Sequence, residues 1–188
     1  EALHKFGLLS NKSLIAHAPF LESHDLEILK DTGCTIAHSP VSNAFFANAV
    51  LPVKDFKSSG AKIGLASDIS GGYSPSIYQA IRQAVISSRM LEDGVNPALP
   101  SHKRGRDNSA ITFNNAFYLA TVAGGEALDS PIGKLEKDYI MDIQIIKLDD
   151  NIPNYIESKR KEDILHKILL LSESSNISEV WVQGRKVK

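Results

Sequence analysis

Ser13-Leu-Ile-Ala-His17, Cys34-Thr-Ile-Ala-His38 and Lys62-Ile-Gly-Leu-Ala-Ser67, the last running straight into Asp68, are three short runs of the same kind. Each is rich in small and β-branched apolar residues, as a buried strand is, and each leads into an amphipathic stretch. After the first, Glu22 to Thr32 carries apolar residues at Leu26, Ile28 and Leu29 and stops at Gly33, a natural helix C-cap. After the second, Pro40 and Asn43 predict a loop, followed by a short helix over Val50 to Ser59 that ends at Gly60. After the third, Ser76 to Met90 reads as a helix. Three consecutive βα units predict a parallel sheet or a (β/α) barrel, because each crossover packs its helix against the sheet.

The three runs share a second feature. Each ends on an ionisable side chain: His17, His38 and Asp68. In parallel α/β folds the C-terminal strand ends are where chemistry is done. Taken singly, each residue equally suits a hydrogen-bonded structural role. Ser67-Asp-Ile-Ser-Gly-Gly72 is also turn chemistry, in which Asp68 caps or turns the chain. Taken together, a histidine and an aspartate at neighbouring strand ends suit metal-assisted hydrolysis. There a divalent metal acidifies a water, a carboxylate orients it and takes its proton, and an imidazole polarises the group under attack.

Outward from this core, Glu92 to Asn108 is a polar loop, and a helix capped by Thr112 or Ser109 runs through Ala116, Leu119 and Ala120 towards Gly124-Gly125. Tyr139 to Ile146 and Glu179 to Gln183 read as strands. Between them lies an amphipathic helix with Ile164, Leu165, Ile168 and Leu169 on one face, and Val182 to Val187 forms a hairpin turning at Gly184. The predicted organisation is 1–132 as barrel-type βα units and 133–188 as part of a small β domain with one helix. The 188 residues carry 21 Lys and Arg against 22 Asp and Glu, so no net positive field exists to draw nucleic acid. No apolar stretch approaches the roughly 20 residues of a membrane span. The single cysteine, Cys34, predicts a buried thiol in a reducing compartment, which points to the cytoplasm.

The residues resemble a known family. Ser13-Leu-Ile-Ala-His17-Ala-Pro-Phe-Leu, Ile36-Ala-His38-Ser-Pro40-Val-Ser42-Asn43 and Ile63-Gly-Leu-Ala-Ser-Asp68-Ile-Ser-Gly71-Gly72-Tyr-Ser74 look like the last three barrel strands of an amidohydrolase-superfamily deaminase. Within that superfamily the guanine deaminases are the nearest likeness, through the Asp-x-x-Gly-Gly-Tyr-Ser continuation. The resemblance continues through Ala116 to Leu128, Ile132 to Glu136, Asp142 and Val180 to Arg185. It implies a (β/α)8 TIM barrel with part of a small β-sandwich, binding one zinc ion and hydrolysing guanine to xanthine and ammonia. Asp68 matches the aspartate that ligates zinc and holds the attacking water. His17 matches the histidine that binds and polarises the purine beside the metal. His38 and Asn43 match the His-x-Pro-x-Ser-Asn motif, in supporting roles, and Gly71 and Gly72 allow close backbone approach. A cytoplasmic homodimer is also implied. Two alternatives stay open: the same chemistry on another aminopurine, a pterin or an aminotriazine, or a non-catalytic barrel fragment that serves as an interaction module.

The departures from the family pattern set a further expectation. No His-x-His pair is present among His4, His17, His24, His38, His102 and His166, and no third metal histidine or proton-shuttling glutamate is recognisable. His4, His24, His102 and His166 fall on helix surfaces or in a polar loop. A full barrel needs ~250 residues, and the sequence opens at Glu1. The expectation is therefore a C-terminal portion of a longer deaminase, with the remainder of its own chain as a partner that supplies the other zinc ligands.

Overall fold

The computed structural model describes residues 1–148 and 160–188. After a short helix α1 (Ala2–Lys5), strands β1 (Leu14–Ala16), β2 (Thr35–His38) and β3 (Lys62–Leu65) form one parallel sheet in the order β1-β2-β3. The register aligns Ile15, Ile36 and Ile63 across it. Ile36, on the central strand, is fully buried, as the near-continuous apolar composition of a parallel strand requires. The ladder runs on past the strand ends: the His17 N–H donates to Ala37 O at 3.0 Å and the Ala66 N–H to His38 O at 2.8 Å. These bonds anchor the polar residues at the sheet's C-terminal rim.

Helix α2 (Ser23–Thr32) follows β1 as predicted and buries Leu26, Ile28 and Leu29. At its start the Asp25 carboxylate accepts the Glu22 N–H at 3.3 Å, and it ends at Gly33 in the left-handed conformation. The predicted loop around Pro40 and Asn43 is instead a helix, α3 (Pro40–Ala47). Pro40 occupies its first turn, where a fixed φ is pre-organised and the missing N–H is not needed, so the residue read as a breaker is a starter. Helix α4 (Val53–Ser58) begins later than Val50 because Pro52 stands immediately before it. Helix α5 (Ile77–Asp93) follows Ser76 and extends three residues past Met90.

Helix α6 (Phe113–Ala120) starts from Thr112 with a reciprocal cap. The Asn115 N–H donates to Thr112 Oγ1 at 3.1 Å and the Thr112 N–H to Asn115 Oδ1 at 3.0 Å. The run breaks at Thr121 and restarts as α7 (Val122–Ala127), which holds Gly124-Gly125 inside a helix rather than beyond its end. A second sheet is antiparallel, with β4 (Ile143–Ile146), β5 (Ile177–Val182) and β6 (Arg185–Lys186) in that order. β4 is shorter than the Tyr139 to Ile146 run predicts, because the preceding residues bond elsewhere. The Ile140 N–H reaches Pro131 O at 2.7 Å, and Asp142 Oδ1 accepts the Gln183 N–H at 2.7 Å.

Helix α8 (Lys161–Leu171) packs against α5 and α6, and its Leu169 belongs to the main apolar core with Ile36, Ile63, Ile81 and Leu119. Buried Arg82 of α5 clamps the end of α8. Its Nε donates to Leu169 O at 2.9 Å, and its terminal nitrogens reach Ser172 O and, at 3.0 Å, Glu173 Oε1. Those carbonyls are among the last of the helix and lack intrahelical donors, so the guanidinium both satisfies them and complements the helix dipole. Among the described residues no helix is long and apolar enough to cross a membrane.

Candidate active site

His17 and Asp68 close β1 and β3, which lie on either side of β2, and strands two apart in a sheet are about 9–10 Å from each other. Their side chains nevertheless approach to 3.8 Å, His17 Nε2 to Asp68 Oδ2. The backbone accounts for the convergence. His17 (φ 66°), Ala18 (φ 57°) and Asp68 (φ 55°) all sit in the left-handed region, which costs a non-glycine residue about 1 kcal/mol or more. These turns aim both side chains over the end of β2. Each side chain is partly exposed, at 42% for His17 and 34% for Asp68, so a small molecule can reach them.

The other face of the His17 ring is held from α3. Nδ1 lies 2.9 Å from Asn43 Oδ1, and Asn43 is buried in the helix that leaves β2. His38 does not join His17 and Asp68 at the surface. It is buried, and burial, with a smaller push from the neighbouring His17 imidazole, lowers its pKa to about 3. It is thus a neutral imidazole, held beneath the rim by burial rather than presented beside His17 and Asp68. Three buried polar atoms cluster in this segment without a hydrogen-bond partner: His38 Nδ1, Ser42 Oγ and Asn43 Nδ2. Leaving such groups unpaired costs about 1–3 kcal/mol each. Ser42 is the serine of the His-x-Pro-x-Ser-Asn motif, to which the sequence assigned no role of its own.

Gly71 and Gly72 fold the loop after β3 back onto Asp68. The Gly72 N–H bonds the Asp68 carbonyl, and a Cβ on Gly72 would fall 2.1 Å from Ser67 O. A Cβ on Gly71 would fall 2.8 Å from Asp68 Oδ2. Side chains at either position would displace the carboxylate or its support. Of the remaining histidines, His24 faces Glu27 on the exposed side of α2 at 3.9 Å, and His166 packs beside Phe113 and bonds Asn114 at 3.0 Å. The segments leaving the strand ends also carry exposed apolar side chains, Phe20, Phe45, Phe46, Ile69 and Tyr73. Among the described residues no three His, Cys, Asp or Glu side chains converge as a metal shell. The donor set fits a metal in part: Asp68 offers one carboxylate with His17 Nε2 beside it, short of the three or four protein ligands usual for zinc.

Known proteins give this rim its context. The chain matches the amidohydrolase family over residues 1–187. It belongs to that family. Among curated amidohydrolase relatives, the guanine deaminase of Dictyostelium discoideum is 33% identical over 188 residues, covering 97% of this chain and 39% of that protein. Among solved structures, a guanine deaminase from C. acetobutylicum with guanine bound in its active site superposes with a TM-score of 0.82 at 27% identity, covering 98% of this chain and 41% of that one. An adenosine deaminase from Xanthomonas campestris with bound zinc shares the fold at a TM-score of 0.79 and 16% identity. The chain therefore spans about two-fifths of the length of the relatives it matches.

Proposed function

We propose that these residues form the C-terminal part of a zinc-dependent guanine deaminase, which hydrolyses guanine to xanthine and ammonia. The observation that carries this reading is the convergence of His17 and Asp68 to 3.8 Å across the rim, in a chain whose guanine deaminase relatives match it nearly end to end. Residues 1–132 are read as the last βα units of a (β/α)8 barrel and 133–188 as part of a small β-sandwich domain. A zinc ion, when bound, lowers the pKa of water so that a nucleophile is available at neutral pH. Asp68 would hold it, together with histidines supplied by the remainder of the protein's own chain. The need for them is supported by the partial donor set among the described residues.

In this reading Asp68 orients the attacking water and accepts its proton. His17 binds the purine through Nε2 and, with a proton on that nitrogen as well, stabilises the negative charge that develops on the ring. Gly71 and Gly72 keep the Asp68 carboxylate backed by main chain, and His38 and Asn43 support the rim from beneath. The exposed aromatic side chains leaving the strand ends suit a flat, apolar-faced heterocycle. A cytoplasmic homodimer completes the proposal, the compartment being supported by the buried free thiol of Cys34.

The test is ammonia release from guanine, with adenine and cytosine as controls, alongside zinc analysis of the natively purified protein. Ammonia from guanine alone, with about one zinc per assembly, is expected. A zinc-free protein that releases no ammonia from guanine overturns the enzyme reading, and release from another aminoheterocycle in place of guanine redirects the substrate.

A further inference from the structure

We propose that Asn43 is a positioning residue that dictates which nitrogen of His17 carries the proton. The Nδ1–H donates to Asn43 Oδ1 at 2.9 Å, and Nε2 is thereby presented to Asp68. The catalytic consequence rests on the deaminase reading; the tautomer does not.

Asn43 is suited to this task by how firmly it is placed. Its side chain is buried at 3% exposure, its N–H donates to Ser39 O at 2.9 Å in the first turn of α3, and its own carbonyl accepts the Ala49 N–H at 3.0 Å. An amide oxygen at 2.9 Å cannot face a lone pair on Nδ1, because two acceptors at that distance repel. With Asn43 Oδ1 turned to the ring, the proton resides on Nδ1 in the neutral ring and stays there in the charged one. Nε2 is then the nitrogen that faces the reacting side, 3.8 Å from Asp68 Oδ2. A carboxylate in the same place would hold the ring equally well, but it would add a negative charge beside the site. The neutral amide sets the tautomer without that charge. The left-handed backbone at His17 and Ala18 swings the ring to where Asn43 can reach it.

The test is the pair of imidazole 15N shifts of His17 in the natively purified, histidine-labelled protein at mildly alkaline pH. The expected signature is a protonated Nδ1 and an unprotonated Nε2. The opposite pattern, or an averaged one, overturns the proposal. In N43L the preference should be lost and kcat on guanine should fall about 10–100-fold, with KM little changed. N43D, which keeps an acceptor at Nδ1, should restore both the tautomer and most of the rate. An unchanged tautomer in N43L also overturns the proposal. Should N43L fail to fold, the wild-type and N43D shifts decide. Absence of guanine turnover in the wild-type protein would remove the deaminase reading and leave the tautomer measurement to judge Asn43 alone.

Discussion

The rim of the parallel sheet and the tip of the β5–β6 hairpin use the same unusual backbone for different ends. At the hairpin, Gln183 (φ 50°) and Gly184 (φ 73°) are both left-handed, as a two-residue turn must be if its twist is to match the strands it joins. The Gln183 side chain is exposed, and its N–H is tied to Asp142. At the rim, His17, Ala18 and Asp68 are left-handed where no hairpin demands it, and the result is that two side chains from non-adjacent strands meet. In one region the conformation connects strands, and in the other it brings His17 and Asp68, the candidate site groups, together.

Removing the aimed groups should produce the largest effects. Asp68→Ala should abolish guanine turnover and strip most of the zinc, whereas His17→Ala should slow turnover about 10²–10⁴-fold with the metal retained, as kinetics and metal analysis would show. Equal zinc loss in both would mean that His17 ligates, and the division of labour drawn at the rim would be wrong.

Arg82 joins the two regions, since α5 leaves the rim loop and its guanidinium holds the end of α8, which leads on to β5. Arg82→Met strands the Leu169 and Ser172 carbonyls and should cost about 3 kcal/mol in urea unfolding. A loss below ~1 kcal/mol would show that the two regions are held together by apolar packing alone.

Beneath the rim, burial holds the pKa of His38 at about 3, well under the 6.5 of an unfolded histidine. The unfolded chain therefore binds the extra proton first, so this contribution to stability is whole above pH 6.5 and is lost as pH falls towards 3. The expected slope is at most ~1.4 kcal/mol per pH unit from this one group. His38→Asn should flatten it between about pH 6.5 and 5.5, above the range in which ordinary carboxylates titrate. An unflattened slope would place the acid sensitivity elsewhere.

The smallest effects sharpen the comparison most directly. Gln183→Gly and Ala18→Gly both relieve a left-handed non-glycine residue, and glycine's greater unfolded-state entropy offsets most of the gain, so each should move stability by less than about 1 kcal/mol. Only Ala18→Gly should lower kcat, because it loosens the turn that aims His17. Equal turnover in both variants would end the claim that rim backbone directs chemistry.

Much of the fold was legible from residue pattern. The three strands, helix α2 with its Gly33 cap, the Thr112 cap and the Gly184 hairpin are local features, because propensity and hydrogen bonding within a few residues determine them. Pro40 was misread because proline breaks a helix interior yet favours a first turn, and nothing nearby in sequence distinguishes the two. Tyr139 to Asp142 read as strand because the residues that capture their backbone, Pro131 and Gly184, lie far away in the chain.

The sequence by itself determined that polar, ionisable residues end the three strands, since strand length and hydrophobic run are read along the chain. Only the tertiary structure decided what they do there. It sank His38 into a place where it must stay neutral, because burial depends on what packs over a residue. It brought His17 to Asp68 and to Asn43, 51 and 26 positions away, because those contacts depend on φ angles and on the parallel register that places β1 and β3 about β2. It also set Arg82 on the end of α8, a partnership between an acceptor pair and a guanidinium that no periodicity announces.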